Sequence, residues 1–463
     1  MYLKKYHIHF VGIGGIGMSG IAELLLNLGY KVSGSDLKLS DITTHLIDLG
    51  GVIFEGHVKE QIAGADVVVT SSAVKPDNPE VVAARLGAVP VIPRAEMLAE
   101  LMRLKYSVAV AGAHGKTSTT SMVSWILGQG GLDPTVVIGG KLKNIGTNAV
   151  LGQGDFIVAE ADESDGSFLK MSPTIAVVTN IDREHLDFYD GLDDIKDAFL
   201  NFIERVPFYG LAVLCLDNEH VQDLMPRIRK RVTTYGMSAQ ADFQARNLSF
   251  SNMVSRFDVY HSGKLIGPVK LNLPGLHNIY NSMAGIAVGI ELGIPFDRIS
   301  QALESIEGVA RRLEIKGEKN GVTVIDDYGH HPTEIRTTLQ AMRESWPDRR
   351  LVVAFQPHRY SRTEALFDEF ARSFYQTDIL LVFPVYSAGE APIDGINSEK
   401  LYESIQAHGH REAFFAQDFE AGRNYLKNRI SENDIILTLG AGDIWKFGQM
   451  LLDDPEWNVS DGL

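Results

Sequence analysis

The clearest chemical signal is a short glycine-rich segment that ends in a lysine and a threonine. It reads Gly112-Ala113-His114-Gly115-Lys116-Thr117 and lies between an apolar run and a helical pattern over Ser118–Gly128. Backbone N–H groups of such a loop cradle phosphates, the lysine reaches the β and γ oxygens, and the hydroxyl binds Mg²⁺. The longer common pattern needs another glycine where this chain has Val110. The segment predicts a nucleotide site, with a bare structural turn as the alternative.

Carboxylates follow two neighbouring apolar runs of the same region. Four of them lie in Glu160–Asp165, and Asn180–His185 follows the next predicted strand. Because the carboxyl ends of parallel strands meet at one sheet edge, both segments should lie together, where oxygen ligands suit a hard cation. A solvated acidic loop is the alternative. Magnesium prefers oxygen, so first principles do not favour His185 as a ligand.

A second glycine pattern lies near the N-terminus. Gly12-Ile13-Gly14-Gly15-Ile16-Gly17 follows an apolar run and precedes a helical pattern, and Asp36 comes about 20 residues later. Such a turn brings backbone N–H groups and a helix N-terminus close to a diphosphate. Taken alone, the pattern suggests NAD, although it reports a diphosphate more reliably than a nicotinamide. A structural turn without a ligand is the alternative.

Two further segments combine histidines, carboxylates and arginines. The first, Asp326–Pro332, and the second, Phe355–Arg362, each follow a predicted strand. Arg359 and Arg362 could hold a carboxylate with charge-assisted hydrogen bonds, and surface ion pairing is the equal alternative. In Leu273–Asn278 the chemistry favours a helix cap over a contact with a base.

Short apolar runs and helical patterns alternate along most of the chain, which predicts parallel βαβ units and an α/β fold. An alternating stretch near Phe243–Leu273 adds a small antiparallel sheet. Boundaries fall between helices and new strands, giving three tandem modules over residues 1–104, 105–308 and 309–463. The predicted strands are His7–Gly12, Lys31–Asp36, Val67–Thr70, Ser107–Val110, Phe156–Ala159, Ile175–Thr179, Val322–Ile325, Leu351–Phe355, Ile379–Phe383 and Ile435–Leu439.

Charge and composition narrow the partners. A net charge of −16 over 463 residues argues against nucleic acid or an anionic membrane as the main partner. The sequence has no uninterrupted apolar run of about 18 residues, so no membrane span is expected. The one cysteine, Cys215, cannot form an internal disulfide and is expected to be buried in a strand, which fits a reducing cytoplasm.

Together and in this order, these motifs resemble the Mur ligases of bacterial cell-wall synthesis, over nearly the whole chain. The resemblance implies a cytoplasmic enzyme with a Rossmann-like N-terminal domain for a UDP-sugar, a central ATPase-type domain, and a Rossmann-like C-terminal domain. It implies ATP-dependent joining of L-alanine to UDP-N-acetylmuramate, with two Mg²⁺ ions and no nucleic acid. The diphosphate expected at Gly12–Gly17 would then belong to UDP. A homodimer stays open.

The resemblance also implies a role for each matching residue. Lys116, Glu160 and His185 would be catalytic, and Thr117, Glu160 and His185 would bind metal. No carbamylated lysine is expected, because Leu200 stands where several relatives have one. The ATP site would comprise Gly112, Ala113, His114, Gly115, Lys116, Thr117, Ser118, Asn278, Asp326 and Asp327. The UDP-sugar site would comprise Gly14, Gly15, Ile16, Gly17, Asp36 and Ser71, and the amino-acid site His330, Arg359 and Arg362.

Three rival functions remain. A murein-peptide ligase would attach a recycled tripeptide to the same UDP-sugar. An oxidoreductase would use the N-terminal glycine pattern Gly12–Gly17 and Asp36 for NAD, which leaves the phosphate loop Gly112–Thr117 without a role. An ATP-dependent switch would turn over ATP without any amino acid.

Overall fold

The computed structural model describes residues 6–71, 73–139, 143, 149–185, 188–427, 429–455 and 457. Its strands form three sheets, of five, ten and six strands. By packing, the chain divides into two compact units. The first comprises residues up to 248 with 257–270 and 279–308, and the second comprises 249–256, 271–278 and 309–463.

The five-stranded sheet is parallel, in the order β3-β2-β1-β4-β5. Its central strand is buried at every position, as expected for a strand covered on both faces. The strands are β1 His7–Val11, β2 Lys31–Asp36, β3 Val52–Glu55, β4 Val67–Thr70 and β5 Val91–Pro93. The helices are α1 Ile16–Asn27, α2 Asp41–Asp48, α3 Pro79–Leu86 and α4 Arg94–Met102, with a 3₁₀ turn at Lys59–Ile62.

The ten-stranded sheet has the order β15-β14-β13-β12-β11-β10-β6-β9-β7-β8, with β6 near its centre. Strands β13, β14 and β15 are joined by two-residue turns at 252–253 and 262–263, so neighbouring strands in this part of the sheet are antiparallel. The strands are β6 Tyr106–Ala111, β7 Thr135–Val137, β8 Ala149–Val150, β9 Phe156–Glu160, β10 Ile175–Val178, β11 Leu211–Cys215, β12 Val232–Gly236, β13 Phe243–Ser251, β14 Val254–His261 and β15 Lys264–Leu271.

The helices of this region are α5 Lys116–Gln129, α6 Leu192–Glu204, α7 Glu219–Leu224, α8 Leu276–Glu291 and α9 Phe296–Ser305, with 3₁₀ turns at Ser167–Lys170 and Met225–Arg227. Helix α6 places Phe199 and Phe202 on one buried face against Phe168, and the rings of Phe168 and Phe202 stack at 5.1 Å. Leu200 packs beside this core, and Lys196 forms an ion pair with Asp223.

The six-stranded sheet has the order β16-β17-β21-β18-β19-β20, and only β16 is antiparallel to its neighbour. The strands are β16 Glu314–Lys319, β17 Val322–Asp327, β18 Leu351–Phe355, β19 Ile379–Val382, β20 Ala413–Phe415 and β21 Ile435–Leu439. The helices are α10 Pro332–Ser345, α11 Tyr360–Ala365, α12 Phe367–Ala371, α13 Ser398–Ala407, α14 Phe419–Leu426 and α15 Trp445–Asp453.

The predicted α/β class is confirmed, and each predicted strand is present to within about two residues. Cys215 is buried at the end of β11, as expected. The expected cap near the start of α8 is wrong, because the helix begins at Leu276 and includes His277 and Asn278. The module boundaries at 104 and 308 stay a prediction. Among the described residues, no helix is both long and apolar enough to cross a membrane.

Candidate active site

The phosphate loop leaves the central strand β6 and ends where α5 begins. Gly112 and Gly115 have positive φ angles of 141° and 81°. A Cβ at Gly112 would lie 2.0 Å from the Thr179 hydroxyl oxygen, and one at Gly115 would lie 2.6 Å from Asn281 Oδ1. Both positions therefore require glycine for backbone conformation and for space.

Asn180, from the loop after β10, binds the phosphate loop at both backbone groups of His114. The His114 N–H donates to Asn180 Oδ1 at 2.8 Å, and Asn180 Nδ2 donates to the His114 carbonyl at 2.9 Å. The Thr179 hydroxyl donates to the same carbonyl at 2.7 Å, and His114 Nε2 lies 3.1 Å from Asp182. The sequence placed Asn180 in a metal-binding segment, whereas the structure gives it the task of holding the loop.

The Lys116 ammonium lies inside the loop. Its Nζ donates to the carbonyls of Gly112 at 2.7 Å and Ala113 at 3.2 Å, and to Glu163 Oε1 at 2.7 Å. Burial alone would lower the pKa of Lys116, but the carboxylates of Glu163, Asp162 and Glu184 together outweigh it and raise that pKa well above its usual value. The lysine is therefore charged, and it lies where a phosphate oxygen is expected.

Among the described residues, side chains that could bind a metal ion lie near this lysine, in a first group around Glu160 and a second around His185. Glu160 accepts a hydrogen bond from the Gly139 N–H at 2.9 Å; burial raises its pKa, and a Thr117 hydrogen bond opposes that rise. In the second group, ligand atoms of Glu163, Glu184 and His185 all lie within 4.8 Å of one another. The structure thus gives His185 two carboxylate neighbours that the predicted ligand set of Thr117, Glu160 and His185 omitted.

The second group has the chemistry of a cation site. Glu163 is only 2% exposed, and its Oε2 is buried without a hydrogen-bond partner among the described residues. A buried carboxylate oxygen without a partner is costly unless a cation binds it. Glu163 and Glu184 lie within the two acidic segments, so the strand-end rule signalled them even though it did not select them. The carboxylates of Glu163 and Glu184 fit Mg²⁺, whose preferred ligands are oxygens, whereas the nitrogen of His185 is not a ligand type that Mg²⁺ prefers.

The N-terminal glycine turn, Gly12–Gly17, lies at the carboxyl edge of the five-stranded sheet. Gly12 has a φ of 78°, and Gly15 precedes the first residue of α1. Asp36 Oδ2 accepts a hydrogen bond from the Gly14 N–H at 2.8 Å. The Ser71 hydroxyl lies 3.9 Å from where a Cβ on Gly12 would be. The predicted Gly14, Gly15, Gly17, Asp36 and Ser71 therefore come together; the side chain of Ile16 lies outside the described residues.

In the second unit, the carboxylates of Asp326 and Asp327 are used internally. Asp326 accepts from Arg311 Nε at 2.9 Å and from the Thr438 hydroxyl at 2.7 Å. Asp327 accepts from the backbone N–H groups of Leu313 and Gly329, both at 2.8 Å. These bonds hold the turn after β17, and the contact with an ATP ribose stays a prediction.

Asn278 is buried in the first turn of α8. Its Nδ2 donates to the Pro274 carbonyl at 2.8 Å, and its N–H donates to the Gly275 carbonyl at 3.1 Å. These bonds hold the turn before the helix. The adenine contact of Asn278 also stays a prediction.

The histidine and arginine segments of the second unit, Asp326–Pro332 and Phe355–Arg362, lie close together. The rings of His330 and His358 lie 5.9 Å apart, and Arg362 Nη1 lies 3.3 Å from His358 Nδ1. Arg359 is half exposed and has a φ of 70°. Burial lowers the pKa of His330 to about 3, so this histidine is neutral near pH 7. The positive charge that a carboxylate would meet comes from the arginines.

Replacing His358 with glutamine is expected to make stability less sensitive to acid. Burial, reinforced by the nearby Arg362, lowers the pKa of His358 to about 4. Between about pH 6.5 and about pH 4 the unfolded chain binds a proton that the folded chain does not. The free energy of unfolding therefore decreases as the pH is lowered through this range. Urea unfolding at about pH 7.5 and about pH 5 should show a smaller loss for the variant. Equal losses would contradict the low pKa.

Comparisons with known proteins cover all three sheets. Residues 7–106 match the family model described as Mur ligase family, catalytic domain. Residues 110–289 match the Mur ligase middle domain, and residues 311–442 match the Mur ligase, glutamate ligase domain.

Full-length relatives agree with these matches. The chain is 63% identical over 98% of its length to the UDP-N-acetylmuramate–L-alanine ligase of Desulfatibacillum aliphaticivorans, covering 99% of that protein. It is 64% identical, again over 98%, to the enzyme of the same name from Desulfosudis oleivorans, which it covers fully. The UDP-N-acetylmuramate-alanine ligase structure of Thermotoga maritima superposes with a TM-score of 0.82 at 32% identity, with 97% of this chain and 98% of that one covered. A murein peptide ligase of Psychrobacter arcticus gives 0.71 at 25% identity, covering 96% and 98%.

Proposed function

Because the chain belongs to the Mur ligase family, we propose that it joins L-alanine to UDP-N-acetylmuramate at the expense of ATP. Relatives that bear this name are 56–64% identical over nearly the whole chain. The observation that carries the proposal is the charged Lys116, held inside the phosphate loop 2.7 Å from the buried Glu163. The product is UDP-N-acetylmuramoyl-L-alanine, with ADP and phosphate, in peptidoglycan synthesis.

The reaction passes through an acyl phosphate. The muramoyl carboxylate oxygen attacks the γ-phosphorus of ATP, and the bond from that phosphorus to the β–γ bridging oxygen breaks to release ADP. The alanine amine then attacks the acyl carbon, a proton leaves the nitrogen, and phosphate departs. Loop amides and the Lys116 ammonium stabilise charge on the transferring group, and positioning supplies most of the remaining rate.

We assign two metal sites, one to each of the two groups of side chains near Lys116. Thr117 and Glu160 would hold one Mg²⁺, and His185 with Glu163 and Glu184 would hold a second. Bound magnesium would neutralise phosphate charge during transfer. The ATP loop itself comprises Gly112–Ser118.

The remaining assignments follow the motifs. Gly14–Gly17, Asp36 and Ser71 bind the UDP-sugar, whose diphosphate meets the N-terminus of α1. His330, Arg359 and Arg362 bind the alanine carboxylate. The free thiol of Cys215 and the nucleotide substrates fit a cytoplasmic enzyme. A homodimer would appear as a doubled mass in light scattering.

Phosphate release tests the function directly. The assay contains the full chain, ATP, Mg²⁺ and UDP-N-acetylmuramate, with no amino acid, with L-alanine, or with the L-Ala-γ-D-Glu-diaminopimelate tripeptide. Release that requires both UDP-N-acetylmuramate and L-alanine is expected. Release only with the tripeptide would support the activity named for the Psychrobacter arcticus protein. Release without any amino acid would favour an ATP-dependent switch.

A further inference from the structure

Arg94 lies between the sugar-nucleotide turn and the acidic segment beside Lys116, and no motif identified it. It is the first residue of α4, directly after β5, and therefore stands at the carboxyl edge of the five-stranded sheet. Its guanidinium extends across the first turn of α1 towards Asp162, which follows β9. All of these residues belong to the first compact unit.

Contact with Arg94 explains why Gly17, the last glycine of the N-terminal pattern, has no side chain. A Cβ on Gly17 would lie 2.1 Å from Arg94 Nη1 and 3.3 Å from its Cδ. Both the charged end and the aliphatic stem of the arginine therefore occupy the space that a side chain at Gly17 would need. The guanidinium is held at the helix N-terminus where the diphosphate is expected.

The ion pair of Arg94 is a weak one. Arg94 Nη2 donates to Asp162 Oδ2 at 3.4 Å, and the two side chains are 33% and 41% exposed. A pair this long and this exposed contributes little stability. An arginine has five N–H donors, and this is the only Arg94 side-chain hydrogen bond among the described residues. The guanidinium can therefore exchange one carboxylate for another at small cost.

We propose that Arg94 binds the muramoyl carboxylate of the sugar nucleotide and gives up Asp162 to do so. This inference rests on the proposed function. A substrate with its diphosphate at α1 must bring its carboxylate to the phosphate group held near Lys116, and Arg94 lies between these two places. Asp162 occupies the guanidinium with the same chemical group that the substrate carries.

Binding measurements separate this role from a contact with the diphosphate. Calorimetry without ATP or metal would compare UDP-N-acetylmuramate with UDP-N-acetylglucosamine, which lacks the carboxylate. Arg94→Ala is expected to weaken binding of the first at least about tenfold and leave binding of the second within about twofold. Arg94→Lys should recover part of the loss. Arg103→Ala is the matched control, because Arg103 directly follows α4 and its side chain pairs, within the part of the chain that the structure describes, only with Glu100 on the surface.

A second variant separates substrate binding from a merely structural tie. Asp162→Asn removes the competing carboxylate, so it is expected to tighten UDP-N-acetylmuramate binding, opposite in direction to Arg94→Ala. If the ion pair only joins α4 to the acidic segment, both variants should weaken binding and lower the melting temperature together. That result, or equal losses for the two nucleotides, would overturn the inference. If the wild-type chain fails to bind UDP-N-acetylmuramate at all, the proposed function falls first.

Discussion

Replacing Lys116 with alanine is expected to reduce turnover at least about a hundredfold. The ammonium is expected to contact the γ-phosphate, and the loop carbonyls of Gly112 and Ala113 hold it in place. The variant should lose phosphate release in the alanine-dependent assay. Near-normal turnover would remove this loop from the mechanism.

Two further variants keep that result interpretable. Alanine at position 116 leaves the buried Glu163 without its partner, which would destabilise the fold by several kcal/mol if the carboxylate stayed charged. The double variant Lys116→Met with Glu163→Gln removes both charges and should be folded; because Glu163 is also assigned to a metal site, this variant tests folding and not the role of Lys116 in turnover. Lys170→Ala is the control, because Lys170 pairs with Glu96 on the surface of the same unit and should keep normal turnover.

Replacing Asn180 with aspartate is expected to lower kcat/KM for ATP about a hundredfold. The carboxylate would still accept from the His114 N–H, but it could not donate to the His114 carbonyl and would repel it. One lost hydrogen bond and one new repulsion together cost about 3 kcal/mol in positioning the loop.

Asn180→Ala provides the comparison, since it removes both bonds and introduces no repulsion. We expect it to be less damaging than the aspartate variant, with KM for ATP raised more than kcat is lowered. The KM for L-alanine should stay near normal in both variants. If both Asn180 variants have the kinetic constants of the wild-type enzyme, then Thr179, which also donates to the His114 carbonyl, is sufficient to hold the loop.

The sequence predicted strands well because most of them are buried on both faces. Leu351–Phe355, for example, is an apolar run bounded by Arg350 and Gln356, Ile435–Leu439 is apolar except for Thr438, and all positions of both strands are buried. The start of α8 was misjudged because Pro274-Gly275 is a strong turn signal, and the helix begins right after it.

For the acidic segments, the sequence predicted the position in the fold but not the side-chain partners. The strand-end rule brought Glu160–Asp165 and Asn180–His185 to one edge, where the structure finds them. It could not tell which carboxylate would reach His185, because that depends on side-chain direction and on the positive φ of 55° at His185. Arg94 escaped notice since a single arginine at a helix start has no distinctive neighbours in sequence.

The second compact unit is not one continuous stretch of chain. Residues 249–256 and 271–278 belong to it, although residues 257–270 and 279–308 of the first unit interrupt the chain between these segments and 309–463. Met253 packs against its core, and the Asn252 N–H donates to the Ser345 carbonyl. A gene cut at residue 309 would therefore yield a protein that lacks part of its own core. Domain exchange between homologous enzymes should succeed only when these two short segments are transferred along with the C-terminal portion.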